Sequence, residues 1–318
     1  MDIKLIDLHC DVLHRCIDKG LTLDSPELHF SLARRPEHLQ VCQAAAIYID
    51  SKLRGEQAQA RFLQAYELLQ REVKAHAPDL NLLQDLRDIP TRLSEKPVAL
   101  FLTVEGGTVL GGEIEWVDKL HRMGTKMLTL TWNGANELCG GVGSDKGFTE
   151  FGKQVVARME ELGMIVDASH LNDRSFWQLC GLACRPFCAS HSNSRSICNH
   201  PRNLTDEQFR EIVCRGGVVG LAYHRYFITE CGRSNTIDDF LRHLHHFLDL
   251  GGENTVALGS DFDGAELPDY LDGIDKLPGL IDAVERSGVS REVTHKLIFG
   301  NAARFLKTTE GECLDDLP

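Results

Sequence analysis

A histidine and a carboxylate close to the N-terminus are the first residues of the sequence that could do chemistry. The segment IDLHCDVL, residues 6–13, is apolar enough for a buried strand, yet it carries His9 and Asp11 two positions apart. Alternate side chains of a strand share one face, so these two groups would lie about 7 Å apart along the backbone. Two buried polar groups are costly unless a partner compensates them. A metal ion would compensate both, so the spacing predicts one half of a metal site.

Four further apolar segments end in a histidine or a carboxylate. They are 98–105, ending in Glu105; 164–170, ending in His170; 186–191, ending in His191; and 255–261, ending in Asp261. Taken singly, each residue has an ordinary explanation, because a lone buried histidine is more often a hydrogen-bonded core residue than a ligand. Five strand ends that carry such groups at one face are hard to explain independently. We therefore interpret them together as a metal site.

Three imidazoles and two carboxylates suit zinc or a similar divalent ion, but they exceed what one tetrahedral site needs. Two ions account for the number, with this allocation: His9 and Asp11 on one ion, His170 and His191 on the other, and Glu105 bridging. Two ions about 3.5–4 Å apart can share a hydroxide and lower its pKa towards neutrality, which is suited to the hydrolysis of amides or esters. Asp261 is then left near that hydroxide, free to pass its proton to a departing amine.

Short apolar segments alternate with longer amphipathic ones along the chain, which indicates an α/β fold. The predicted strands are 3–9, 40–49, 98–105, 126–132, 164–169, 186–191, 218–223 and 255–261, and the clearest predicted helices are 59–73, 204–215 and 237–250. About eight strands with intervening helices predict a (β/α)8 TIM barrel, a single catalytic domain spanning 1–318, with its chemistry at the carboxyl ends of the strands. A doubly wound open sheet is the alternative, but no glycine-rich phosphate-binding turn follows the first strand.

Composition narrows the partners and the compartment. The chain has 47 acidic against 34 basic residues and a net charge of −13, which argues against nucleic acid or an anionic membrane surface as the main partner. We find no secretory signal pattern and no apolar run that approaches the length of a membrane span. The eleven cysteines include no CxxC pair and no regular spacing. We therefore expect a cytoplasmic protein with reduced thiols.

Five motifs, in order along the chain, resemble those of the membrane dipeptidase family, also called renal dipeptidase-like or peptidase family M19. They are HCD at 9–11, VEGG at 104–107, DASH at 167–170, SHSNSR at 190–195 with PRN at 201–203, and GSDFDG at 259–264. The likeness extends from about residue 5 to GNAARFL at 300–306. HxD alone is shared by the wider amidohydrolase superfamily, whereas the five motifs together are specific. The resemblance implies a binuclear zinc barrel that hydrolyses dipeptides, often tolerating a D-residue at the C-terminal position.

The resemblance also implies roles for individual residues. His9 and Asp11 match the family's ligands of the first metal ion, and His170 and His191 match those of the second. Glu105 matches the bridging carboxylate, and Asp261 matches the catalytic acid/base. Arg202 matches an arginine that holds the terminal carboxylate of the substrate, although without the resemblance it would be read as a solvated loop charge. Trp132 stands where mammalian members have a substrate-contacting histidine, and Asn133 beside it is a candidate substitute.

These observations predict a zinc-dependent dipeptidase that acts on L-L and also on L-D dipeptides, with a homodimer expected from the family. A related binuclear amidohydrolase that acts on a lactone, a β-lactam, a phosphoester or another amide is the first alternative. A barrel that binds metal and ligand without catalysis is the second, but binding alone does not require Asp261 beside the water. Tyr223 and His224 are further candidates for lining the pocket. The helical histidines His243, His245 and His246 are expected on the surface.

Overall fold

The computed structural model describes residues 2–230 and 235–309 of the chain. Its strands are β1 Ile3–Asp7, β2 Leu39–Tyr48, β3 Leu80–Leu82, β4 Val98–Glu105, β5 Thr125–Thr129, β6 Ile165–Asp167, β7 Cys188–Ala189, β8 Val218–Leu221 and β9 Val256–Leu258. Its α-helices are α1 Val12–Lys19, α2 Glu56–Ala75, α3 Ile89–Glu95, α4 Glu115–Arg122, α5 Glu150–Glu161, α6 Asp173–Leu182, α7 Asp206–Cys214, α8 Arg225–Ile228, α9 Ile237–Asp249, α10 Leu277–Arg286, α11 Arg291–His295 and α12 Asn301–Thr309.

Eight of these strands close into a parallel barrel in the order β1-β2-β4-β5-β6-β7-β8-β9, and β9 pairs back with β1. The predicted (β/α)8 barrel is therefore confirmed. Strand β4 coincides with the predicted segment 98–105 and is buried along its whole length, as its continuous apolar sequence requires. The additional short strand β3 pairs with the first half of β4, and β5 pairs with the second half of β4 on the same side.

Strands β6 and β7 are shorter than predicted, because a side chain replaces part of the ladder. The carboxylate of Asp167 accepts the backbone N–H groups of Ser169 and Ser190, at 3.0 and 2.8 Å, where strand hydrogen bonds would otherwise continue. Both segments therefore leave the sheet early. His170 and His191 lie among the residues that follow these early strand ends.

Two glycines allow the strands on this side of the barrel to approach closely. A Cβ atom on Gly220 or on Gly259 would lie 2.0 or 1.9 Å from the carbonyl oxygen of Ser190. No other residue fits either position without moving a backbone. The close approach lets the segment that follows β7 pack directly against β8 and against the segment that follows β9.

The outer helices begin and end largely as expected, with one correction. The predicted capping box at the start of α7 is present, with Thr205 and Gln208 bonding to each other's backbone N–H groups. In α9, however, His243 is fully buried, so its predicted surface position is wrong. It lies on the same helix face as Phe240 and Phe247, and its ring accepts from the N–H of Ser194 and donates to the carbonyl of Ile228.

His245 and His246 are half-buried and bond to Ser287 and Asp206, respectively. Within the described residues, none of the helices combines the length and apolarity needed to cross a lipid bilayer. The nine cysteines in the same part of the chain are all free thiols.

Candidate metal centre

The site residues predicted from the strand ends meet at the carboxyl end of the barrel. Glu105 is the last residue of β4. Each of the other residues comes shortly after the end of a strand: His9 and Asp11 after β1, His170 after β6, His191 after β7 and Asp261 after β9. All six are buried. Four of them line a cavity of about 580 Å³, and the rings of His9 and His191 lie beneath it, stacked with centroids 3.9 Å apart.

Glu105 stands between two groups of potential ligands. Its Oε1 atom lies 2.8 Å from Nε2 of His170 and 3.4 Å from Nε2 of His191. Its Oε2 atom lies 3.7 Å from Nε2 of His9, which is itself 3.3 Å from Oδ2 of Asp11. One carboxylate thus faces both groups with different oxygens, which is the arrangement that a bridging ligand needs.

The unpaired atoms of the site fit a divalent cation. Both ring nitrogens of His9 and the Oδ1 atom of Asp11 are buried without a hydrogen-bond partner. Ligand atoms of His9, Glu105 and His191 lie within 4.8 Å of one another, and so do those of His9, Asp11 and Asp261. Buried polar atoms without partners are costly, and a cation among them would remove that cost. Imidazole nitrogens and carboxylate oxygens are also the ligands that zinc takes in proteins.

Positive charge is favoured in the first group of potential ligands, which contains His9 and Asp11. Burial alone would keep His9 neutral, but the charges of Glu105 and Asp11 outweigh it and raise the pKa of His9 to about 10. Burial raises the pKa of Asp261 well above its ordinary value, and the charges of Asp11 and Glu105 raise it further. This cluster therefore attracts a cation, and a divalent metal is the alternative to protons on these groups.

The imidazoles of the second group, His170 and His191, are kept neutral, as a metal-binding imidazole must be. Burial, together with the charge of Arg202, lowers the pKa of His170 to about 4. Burial and the nearby charge of His9 lower the pKa of His191 well below its usual range. The rings of His170 and His191 bring their Nε2 atoms to 3.0 Å from each other. Each ring therefore offers a lone pair rather than a charge.

The backbone of the site is held in an unusual conformation. His170, Asp261 and Asp263 are the non-glycine residues with positive φ in the described part of the chain, at 70°, 61° and 65°. Such values are uncommon outside glycine and cluster at functional sites. Asp263 was not among the predicted site residues. Its buried carboxylate accepts the N–H groups of His29 and Phe30 and so fastens that loop beside the cavity.

Polar residues outside the predicted ligand set hold two of the imidazoles. Oδ1 of Asn133 lies 2.9 Å from Nδ1 of His170, so this residue, predicted as a substrate contact, positions a candidate ligand. Ser190 Oγ lies 2.8 Å from Nδ1 of His191 and donates to Asp167. Sequence reasoning missed Asp167 and Ser190, although both lie inside the quoted motifs. Second contacts of this kind orient metal ligands.

Arg202 lies at the same cavity and is not a solvated loop charge. Its side chain is only 5% exposed, its Nη2 atom donates a long 3.4 Å bond to the carbonyl of His191, and its Nε atom has no partner. Trp132 also lines the cavity, packed edge-on against Tyr48. His224 lines it as well, with its ring stacked on Phe227.

Tyr223 does not line this cavity. It is buried in the core against Phe240 and Phe262. Of the two pocket candidates that follow the seventh predicted strand, only His224 faces the site.

The sequence of this chain is similar to a known protein family and to several individual proteins. The family model described as "Membrane dipeptidase (Peptidase family M19)" matches residues 1–313. An uncharacterized protein from the pqqA 5′ region of Klebsiella pneumoniae is 33% identical over 255 residues, which cover 77% of this chain and 94% of that protein. An uncharacterized dipeptidase of Schizosaccharomyces pombe is 31% identical over 67% of this chain, and the match covers 53% of the yeast protein.

Solved structures are similar over almost the whole chain. A metallopeptidase named dipeptidase AC has a TM-score of 0.93 at 27% identity, covering 98% of this chain and 100% of that one. A metallopeptidase from Rhodobacter sphaeroides, bound to a phosphinate mimic of the dipeptide L-Ala-D-Ala, has a TM-score of 0.91 at 26% identity, covering 97% of this chain and 100% of that one.

Proposed function

Because the chain belongs to the membrane dipeptidase family, peptidase family M19, and is a metallo-dipeptidase by that membership, we propose that it is a two-zinc enzyme that hydrolyses both L-L and L-D dipeptides. The observation that carries the proposal is the placement of Glu105, whose two oxygens face His9 on one side and His170 with His191 on the other. Asp11 completes the first set of ligands.

When bound, the ions supply the Lewis acidity that lowers the pKa of water and polarises the scissile carbonyl. The protein supplies the proton transfer. Asp261 is buried beside the ligands, with its Oδ1 atom 4.0 Å from Nε2 of His9. In this position its carboxylate can take the proton of the attacking water and give it to the leaving nitrogen.

Arg202 sets the length of the substrate. Its buried guanidinium, with an unpartnered Nε atom, lines the same cavity as Glu105 and Asp261. A terminal carboxylate would bind it through two parallel hydrogen bonds. A longer peptide would place an uncharged amide there and leave the guanidinium unpaired, so we expect hydrolysis to be restricted to dipeptides with a free C-terminus.

Activity on L-D dipeptides is supported by the Rhodobacter sphaeroides metallopeptidase, whose ligand mimics L-Ala-D-Ala. Its fold matches this chain at a TM-score of 0.91. The cavity of about 580 Å³ is of a size that suits a small ligand of either stereochemistry. Trp132 adds apolar contact area to the wall of this cavity.

The test is a panel of L-L and L-D dipeptides offered to the zinc-loaded protein, with N-acetylated and C-amidated forms of the same dipeptides as controls. We expect turnover of free dipeptides and a loss of at least 100-fold for the C-amides. Failure on every dipeptide would refute the proposal, and turnover of a lactone or a β-lactam under the same conditions would replace it. Zinc content measured on the same sample should be two ions per chain.

Two expectations from the sequence stay proposals. A homodimer is tested by light scattering of the purified protein, in which a mass equal to a single chain would refute it. A cytoplasmic location is tested by fractionating the cells that produce the protein, in which recovery outside the cytoplasmic fraction would refute it.

A further inference from the structure

Asp167, at the end of β6, is a fully buried carboxylate outside the predicted ligand set. Its Oδ1 atom accepts the N–H groups of Ser169 and Ser190, at 3.0 and 2.8 Å. Its Oδ2 atom lies 2.6 Å from the hydroxyl of Thr129 and 2.6 Å from the hydroxyl of Ser190. All four partners are donors or can donate, so Asp167 acts as an acceptor at both of its oxygens.

The proton of Ser190 is therefore committed to Asp167. A serine hydroxyl has one proton to donate and lone pairs to accept with. The Oγ atom of Ser190 also lies 2.8 Å from Nδ1 of His191, and this contact can only be one in which the serine accepts. The ring of His191 must then carry its proton on Nδ1. Its Nε2 atom keeps a free lone pair and faces Glu105 and His170.

Neighbouring contacts agree with this direction of donation. The hydroxyl of Ser169 accepts the backbone N–H of His191 at 3.1 Å and lies 3.3 Å from the hydroxyl of Ser190. It can use its own proton to donate to the second lone pair of Ser190. Every donor then has an acceptor, and each hydroxyl donates its single proton only once.

We propose that Asp167 and Ser190 form a relay, the Asp167–Ser190 relay, that fixes His191 in the tautomer able to bind a metal ion. This is a positioning role, since neither residue reaches the cavity. The inference rests on the proposed function in one respect, because it assigns the relay to the second of the two zinc ions. Carboxylates that act on metal-binding histidines commonly change metal affinity by 10–100-fold when removed.

The chain contains a matched carboxylate without this connection. Asp7, at the end of β1, is also fully buried and also accepts backbone N–H groups, those of His9 and Ser260, at 3.2 and 2.9 Å. It makes no hydrogen bond to an imidazole, and Nδ1 of His9 has no partner. Asp7→Asn therefore replaces a carboxylate at a similar depth without touching the proton of a ring.

Asp167→Asn reverses the relay at nearly constant shape. The two backbone N–H groups require an acceptor, so the amide oxygen of the new side chain will occupy the place of Oδ1. Its NH2 group then takes the place of Oδ2 and donates to Ser190. The serine proton is freed to donate to Nδ1 of His191, and the ring proton moves to Nε2, where the metal should bind.

The experiment compares the zinc affinity of wild type, Asp167→Asn, Ser190→Ala and Asp7→Asn by competition with a chromophoric chelator. We expect Asp167→Asn to weaken one of the two zinc sites by about 100-fold. Ser190→Ala, which leaves the tautomer free rather than wrong, should weaken the same site by about 10-fold. Asp7→Asn should keep both affinities within about threefold. A purely structural role predicts no such order.

A second measurement keeps the inference testable if a variant fails to fold. Nitrogen-15 NMR of the metal-free wild type reports directly which ring nitrogen of His191 carries the proton. A proton on Nε2, or unchanged zinc affinity in folded Asp167→Asn, overturns the relay. If wild type binds a single ion, the two-zinc proposal fails, whereas the tautomer of His191 still decides the relay.

Discussion

The substitution Arg202→Met tests most directly how the protein recognises its substrate. The guanidinium is buried, has one long hydrogen bond of 3.4 Å and leaves its Nε atom unpaired. A substrate carboxylate would add two charge-assisted hydrogen bonds, each of which contributes about 1.5–3 kcal/mol. Losing both costs roughly 3–6 kcal/mol, so we expect kcat/KM for a free dipeptide to fall by about 10²- to 10⁴-fold.

The discriminating assay compares a dipeptide with its C-terminal amide. The amide lacks the carboxylate that Arg202 is proposed to bind, so the substitution should change the kcat/KM for the amide by less than about tenfold. Arg15→Met is the matched control, because this arginine also lines the cavity but is only half-buried. The control should keep the wild-type preference for the free carboxylate. An unchanged preference in Arg202→Met would refute the assignment.

The same variant makes a second prediction, for stability. Burial lowers the pKa of Arg202, which means that the fold disfavours its charge. Replacing an under-paired buried cation by an apolar side chain of similar length is often neutral or stabilising. We therefore expect the zinc-loaded Arg202→Met protein to melt no lower than wild type. A large drop in melting temperature would show that the arginine supports the fold rather than the substrate.

Three further outcomes are expected elsewhere in the molecule. His9→Ala should lose both zinc and hydrolysis, whereas Asp261→Asn should lose hydrolysis with zinc content retained. Loss of zinc from Asp261→Asn would show instead that Asp261 is a metal ligand. Burial lowers the pKa of His243 from 6.5 to about 4, so its contribution to stability, about 3 kcal/mol, is complete above pH 6.5 and lost as the pH falls towards 4. Urea unfolding of His243→Gln should therefore show a shallower acid decline than wild type, and equal slopes would contradict this. Gly259→Ala, whose Cβ atom would meet a backbone oxygen at 1.9 Å, should destabilise by about 3 kcal/mol, while Gly181→Ala, which has open space, should not destabilise in the same thermal melts.

The barrel and the convergence of the candidate ligands could be predicted because both follow from local patterns. Apolar runs with a polar last residue mark a buried strand and the group that it presents at the carboxyl end, as β4 with Glu105 illustrates. The strand β3 could not be predicted, because three residues carry too little periodicity to be distinguished from a loop. The burial of His243 could have been read from its spacing to Phe240 and Phe247, which place it on the apolar face.

The supporting contacts of the site were out of reach for a physical reason. Asp167 and Ser190 lie in quoted motifs, but their partners come from other strands, and an aspartate at a strand end looks the same whether it binds metal, backbone or hydroxyl. The burial of Arg202 likewise depends on how its loop folds over the barrel. Residue type and spacing identify candidates, whereas the direction of each proton depends on tertiary neighbours.

The contact that closes the barrel joins two segments that lie far apart in the sequence. Strands β1 and β9 share the residue pair Asp7 and Leu258, and beyond it the N–H of Asp261 donates to the carbonyl of His9. His9 precedes Asp261 in the sequence by most of the barrel, so His9 leaves the ribosome first. A nascent chain therefore carries all the candidate metal ligands before the proposed acid/base, and on this proposal hydrolytic competence arrives with the segment that follows β9.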